Sequence, residues 1–402
     1  MPDRPSDSSA PPPTWRWTRG PTRRLGWLAA LVLLACAPQR VASRPHFTAD
    51  ARKWARRSGI DVAPLRLAEG ARILALGEAA HGAREVFVAR AAWTMALIDA
   101  GWASALILEA DAWSTRGLDA YVRGHADDLE GALQGLPGLY GHDDALRFFE
   151  ALRRVNDGRE ADAKVRVVGM DASTLAACAA SRRAGDPEAA RRCDQARALS
   201  SALELGETYW VRDEIMAENV AEVAARSPGG VVVWVHAGHA ARSAPLLLDD
   251  RRRSTAPMGW FLQRRFGAAY RAATITFQEG SVAVQALVGG LFPRLGAFAE
   301  VEVGPADAAT IEGMVRFEGD APVLLDLREL PRGAASTAWF ASPQSTRSIG
   351  GAERLRALRG RRAAHGWAKY VPREAFDFVI VLPRSGPLEL WVAGSGRRGP
   401  SG

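Results

Sequence analysis

Lysine is almost missing from this sequence. Only Lys53, Lys164 and Lys369 stand among 52 basic residues, so arginine carries the formal charge of +7. The arginines are scattered, with no aromatic-interleaved basic stripe and no DNA-reading motif beside them, which argues against nucleic acid as a partner. Long apolar runs are missing too. The most apolar stretch is residues 25–35, eleven residues, where a helix crossing a hydrocarbon core takes about 20. Cysteine is scarce, with three in 402 residues, which excludes a disulfide-built scaffold and a cysteine-rich metal cluster. What remains is ordinary for a folded enzyme-sized chain: 48% hydrophobic and 24% charged residues, enough to bury a large core and too apolar for extended disorder outside the termini.

The amino terminus reads as an export address. A Pro/Ser-rich segment ends in Arg23-Arg24, followed by the short apolar run and small residues. That is the layout of a secretory signal rather than of a permanent anchor. Leu33-Leu34-Ala35-Cys36 resembles the bacterial lipoprotein signal, in which the cysteine is lipidated and becomes the first mature residue. Arg23-Arg24-Leu25 also resembles, more faintly, a twin-arginine signal. The expectation is a signal peptide over 1–36 lipidated at Cys36, a tether over 37–51, a folded domain over 52–390 and a disordered tail over 391–402, with the protein held by its lipid at the cell envelope. Cys178 and Cys193 remain as a pair. In an oxidising compartment they form either a disulfide or two buried thiols.

Beyond residue 52 short apolar runs alternate with polar tips and helical patterns, at 72–76, 104–108, 165–168, 231–235, 272–277, 323–327 and 378–382. Several are continuously apolar, which suits strands buried on both faces of a parallel sheet. The expected fold is α/β: a mainly parallel central sheet flanked by helices, with helical cap insertions at about 114–156 and 172–228. Residues 282–288 follow 272–277 across Gln278-Glu279-Gly280-Ser281, which predicts a hairpin and an antiparallel edge there.

The polar tips carry the chemistry. Glu78 and His81 follow the first run, Glu109 the second, Asp171 the third, His236 and His239 the fourth. Ligands bind at the carboxyl ends of such strands, so these residues would converge on one cleft. Singly, each has a plain structural reading: Glu78, Glu109 and Asp171 as helix-end carboxylates, His81 as a core histidine. Yet three of only seven histidines fall just past strands in glycine-flanked segments, and coincidence accounts for that poorly.

Gly77-Glu78-Ala79-Ala80-His81-Gly82 with Arg84-Glu85 and Arg90, Leu106–Ala110, Leu118–Gly124, Arg212-Asp213 with Met216-Ala217 and Asn219, Val233-Trp234 with His236 and His239, and 259–280 occur in that order. As an ordered set, from about 72 to 383, they resemble the erythromycin esterase-like hydrolases. Ala80 stands where that family usually has Thr, and Ala237 where it usually has Asn. Tyr140-Gly141-His142-Asp143-Asp144 is the nearest counterpart of the family's pocket-lining helix.

The resemblance implies water-driven opening of a small-molecule ester or lactone. His81 would be the general base, Glu78 or Glu109 its orienting carboxylate, and Arg90 with His236 or His239 the oxyanion partners. Arg212, Asp171, Asp111 and Met216 would contact substrate. Arg90 has a structural alternative as an ion pair to Glu85 or Glu109. No cofactor is expected, although Glu78, His81, His236 and His239 could instead ligate a metal ion. A non-catalytic, ligand-binding lipoprotein is the third reading. The residues name a reaction class and leave the substrate open among a macrolide, another lactone and an envelope ester.

Overall fold

The computed structural model describes residues 64–172, 178, 186–205, 208–245, 256–288, 294–315, 317, 319–330, 335–350, 352–353 and 366–391. All lie in the unit spanning 47–402. The export signal with Cys36, the tether and the tail beyond Trp391 lie outside the described residues.

The apolar runs become β1 (Ile73–Glu78), β2 (Ala103–Asp111), β3 (Arg166–Asp171), β4 (Gly230–His236), β5 (Tyr270–Val288), β6 (Arg294–Val303), β7 (Val323–Asp326), β8 (Gln344–Arg347), β9 (Ala352–Glu353), β10 (Trp367–Tyr370) and β11 (Phe378–Ser385). Among the described residues the main sheet runs β3-β2-β4-β1-β5-β11-β7, with β6 and β9 joined to the far half of β5. From β3 to β11 every pairing is parallel, and β7 closes the edge antiparallel.

The two faces are covered by helices α1 (Arg84–Asp99), α2 (Arg116–Val122), α3 (Asp143–Asp157), α4 (Pro187–Leu205), α5 (Thr208–Arg226) and α6 (Met258–Phe266). Side chains alternate across a strand, so one run serves both layers. Leu74, Leu76, Leu106, Leu108 and Trp234 pack with Phe87 and Leu97 of α1 and Phe149 and Leu152 of α3. Ile73, Ala75, Ile107, Val231 and Val233 pack on the other side with Met216, Val220 and Ala224 of α5 and Leu262 of α6. The two expected helical stretches therefore supply α2, α3, α4 and α5. Arg212 of α5 reaches Glu109 and Asp171 at the carboxyl ends of β2 and β3. Among the described residues no helix is long and apolar enough to cross a membrane.

The expected hairpin at 278–281 is not there. β5 runs unbroken from Tyr270 to Val288, parallel to β1 and β11 in its first part and antiparallel to β6 after Gly280. Gly280 looks like a turn residue in sequence, but its φ of 136° and the backbone of β11 explain it: a Cβ there would lie 1.8 Å from Ser385 O. The glycine admits the close approach of its parallel neighbour β11, paired there through Ser385, and the antiparallel partner of 282–288 is β6.

Edge strand β3 is blunted by side chains rather than by another strand. Asp119 accepts from Val167 N–H (2.9 Å) and Arg166, and Thr115 Oγ1 accepts from Gly169 N–H (2.8 Å). Side-chain acceptors on exposed ladder positions remove the template for edge-to-edge association. The Leu118–Gly124 segment thus has a structural use for its aspartate.

Candidate active site

Sheet order puts β4 between β2 and β1. Glu109, His236 and Glu78 consequently come from three neighbouring strands, with Glu78 directly opposite His236 in register, and β3 brings Asp171 alongside β2. The loop after β1 carries His81 and is pinned by its backbone. His81 N–H donates to Ile349 O at 3.1 Å, and Gly82 O accepts from Ala283 and Leu388. Gly82 has φ 73°, and a Cβ there would meet Ala283 O at 1.9 Å. The conformation and the close approach both require glycine.

Glu78 is the hinge of the first half of the site. One oxygen lies 2.6 Å from His81 Nδ1, and the other lies 2.6 Å from an Arg90 guanidinium nitrogen. Arg90 is 3% exposed and rests over the Trp234 ring, 5.0 Å from its centroid, while Trp234 Nε1–H donates to Thr94 Oγ1. Burial alone would raise the Glu78 pKa, but Arg90 and His81 outweigh it and hold the carboxyl below its usual value. For His81 burial works downward, and Glu78 with Glu109 wins, lifting the imidazole above its usual 6.5. With Nδ1 held by Glu78, Nε2 is the end left for substrate or water.

His236 behaves oppositely. Its Nδ1 accepts Gly238 N–H at 3.2 Å, which leaves the proton on Nε2, a buried atom with no partner among the described residues. Burial and the neighbouring His81 charge push its pKa down to about 3, so the ring is neutral. It lies 5.0 Å from the His81 ring, centroid to centroid.

The second half is built around Arg212. Its guanidinium donates to Glu109 Oε1 (2.9 Å) and Asp171 Oδ2 (2.9 Å), and lies 3.1 Å from His239 Nε2. Glu109 takes the His236 N–H on its other oxygen at 2.7 Å. Burial opposes its charge, but His239, Arg212 and His81 hold its pKa far below the usual range. Glu109 is therefore a fixed anion rather than a proton carrier. His239 Nδ1 lies 2.8 Å from Asp213 Oδ1. Burial lowers the His239 pKa, and the Asp213 and Glu109 charges raise it past its usual value.

Glu78, His81, Glu109, Asp171, His236 and His239 thus come together, as their positions after the strands implied, and Arg90 from α1 and Arg212 from α5 join them. Three roles need correction. Arg90 pairs with Glu78, not with Glu85 or Glu109, and being buried behind that carboxylate it does not serve as an oxyanion partner. Glu85 instead accepts from Gly386 N–H at 2.5 Å. Met216 is fully buried in the α5 face of the core and is no substrate contact. Asp111 Oδ1 accepts from Trp113 N–H, Ser114 N–H and Ser114 Oγ, so its part here is to cap the turn after β2.

The alternative metal set of Glu78, His81, His236 and His239 shares the edge of the sheet without turning its donor atoms on one point. Among the described residues no three His, Cys, Asp or Glu side chains are placed to share an ion. Two residues that the motifs contain gain roles the sequence did not assign them. Asp213, beside Arg212 in its motif, holds His239. Tyr140 is buried within the fields of Arg90, Glu78 and Glu109, and burial raises its pKa, which keeps the phenol protonated. Cys178 and Cys193 are joined in a disulfide.

Comparison with known proteins agrees with this architecture. No curated protein sequence matches the chain. A Bacillus cereus protein of known structure superposes with a TM-score of 0.67 at 18% identity, over 83% of this chain and 93% of that one. A succinoglycan biosynthesis protein superposes at 0.63 and 16%, over 85% and 99%. A mutant of the erythromycin esterase EreC in its open conformation does so at 0.53 and 16%, over 84% and 97%. At these identities the likeness speaks for a shared fold. The profile of the erythromycin esterase family matches residues 103–209 and 183–385, most of the chain, and on that match the chain belongs to the erythromycin esterase family and with it to the hydrolases.

Proposed function

We propose that the protein hydrolyses a small-molecule carboxylic ester or lactone by direct attack of a water that His81 deprotonates. The observation that carries this reading is the Glu78–His81 contact at 2.6 Å with Arg90 behind it, set against the neutral His236 ring. A carboxylate on Nδ1 fixes the tautomer and favours the imidazolium that forms in the transition state. The water proton passes to His81 Nε2 as the oxygen bonds to the carbonyl carbon. The resulting oxyanion meets the His236 Nε2–H, a donor that stays neutral and needs no reorganisation. Collapse breaks the C–O bond to the leaving alcohol, which takes the proton back from His81. Glu109, ionised throughout, adds a fixed negative charge that supports the His81 cation. No serine or cysteine nucleophile takes part.

The test is a panel of activated esters and macrolactones, run with the wild type and His81→Ala. Loss of turnover with a thermal midpoint within a degree or two supports the mechanism. A fully active His81→Ala, or binding of the panel without any hydrolysis, would overturn it.

We also propose that the chain is exported and held at the cell envelope by lipid on Cys36. The apolar run before Leu33-Leu34-Ala35-Cys36 supports this, as does a disulfide, which persists in an oxidising compartment.

A further inference from the structure

Arg212 and Asp213 are consecutive in α5, yet they close on the two nitrogens of one ring. Asp213 Oδ1 lies 2.8 Å from His239 Nδ1, and Arg212 Nη1 lies 3.1 Å from His239 Nε2. A guanidinium has donors and no acceptor. Nε2 must therefore offer its lone pair to Arg212, and the ring proton sits on Nδ1, donated to Asp213. Asp213 and Glu109 draw a second proton toward this ring, while Arg212 at Nε2 repels it.

Asp213 is itself anchored. Its side chain is 5% exposed, and the oxygen that takes the His239 proton also accepts Met258 N–H, at the start of α6, at 2.6 Å. At the other end, Arg212 holds Asp171 and Glu109, and Glu109 accepts the His236 N–H. A continuous path of hydrogen bonds thus runs from the α6 backbone through Asp213, His239 and Arg212 to the carboxylate that neighbours His81.

We propose that Asp213 is a positioning residue of this site, acting through His239 to hold Arg212, and through Arg212 the Glu109 carboxylate, in one arrangement beside His81. The meaning of that arrangement for turnover rests on the hydrolase reading above; the clamp itself does not. Both His239 nitrogens are engaged within the protein, so His239 has no free N–H for a substrate oxyanion, and that part falls to His236. Asp171 is a second brace on the same guanidinium. The physical reason for such an arrangement is that a long arginine side chain samples many rotamers, and a buried anion displaced by a fraction of an ångström loses much of its effect on a neighbouring proton transfer.

The test uses the full chain with isotopically labelled histidine and two variants, Asp213→Asn and Asp213→Ala. Nitrogen NMR of the wild type, followed to the alkaline side of the His239 titration, is expected to show the neutral ring protonated on Nδ1. The Asn variant keeps an acceptor for that proton, so it should retain the tautomer and turn over within about threefold of wild type. The Ala variant should lose the Nδ1–H signature and lower kcat about 10²-fold, with KM changed less than threefold. Wild-type kcat in Asp213→Ala, or a fall in thermal midpoint with the His239 tautomer and kcat unmoved, would overturn the proposal. If the variant does not fold, wild-type protein whose His239 carries its proton on Nε2 overturns it equally. A chain that hydrolyses no ester yet shows the expected change at His239 sinks the hydrolase reading and leaves the clamp standing.

Discussion

Replacing Arg90 with Met removes the cation from behind Glu78 and tests whether that ion pair is what keeps a buried carboxylate charged. The two side chains are 4% and 11% exposed, with the contact at 2.6 Å, so solvent screens little of their attraction. Removing one member of such a pair leaves an uncompensated buried charge and costs about 3–5 kcal/mol. For a chain of this size about 2 °C is lost per kcal/mol, so the midpoint should fall by about 6–10 °C. The sign of the pH dependence follows from Glu78. Its folded pKa is depressed below 4.5, so its charge contributes stability above that value and the contribution fades as pH falls. The gap between wild type and Arg90→Met should be widest from about pH 6 to 8 and close below pH 4.5, where the carboxyl of the variant takes a proton. The double variant Glu78→Gln/Arg90→Met, with no stranded charge, should be more stable than Arg90→Met alone. The assay is chemical and thermal unfolding between pH 4 and 8. A loss under 1 kcal/mol that is the same at every pH would refute the reasoning.

Two further outcomes follow from the same geometry. Because Glu78 and Glu109 raise the His81 pKa and the base acts unprotonated, kcat/KM should climb with pH through a value above 6.5. Glu78→Gln should shift that limb toward acid and lower the plateau; a limb that stays in place assigns it to another group. Cys36→Ser should move the protein from the detergent phase to the aqueous phase on detergent partition, and equal partition of the two forms would end the lipid-anchor proposal.

How much of this was legible in sequence depends on the range of the interaction. The strands were, because burial on both faces of a parallel sheet demands unbroken apolar runs such as residues 231–235. Convergence of Glu78, Glu109, Asp171 and His236 was legible too, since the carboxyl ends of parallel strands share one edge. Pairing was not. Arg90 could be placed twelve residues past Glu78, but choosing Glu78 over Glu85 or Glu109 requires knowing which face of α1 meets Trp234. Met216 and Arg212 stand one helical turn apart on α5; the former is sealed against the sheet while the latter reaches past its edge.

Gly280 shows the same limit in the backbone. Its neighbours spell a turn, and the approach of Ser385, a hundred residues later, makes it the place where β5 meets the end of its parallel neighbour β11. Local pattern determined the elements of this protein, their order and the edge at which its acids and imidazoles gather, because strand periodicity and burial act over a few residues. Only the tertiary structure decided which acid charges which histidine, since a proton's position is set by contacts of about 3 Å between groups far apart in the chain.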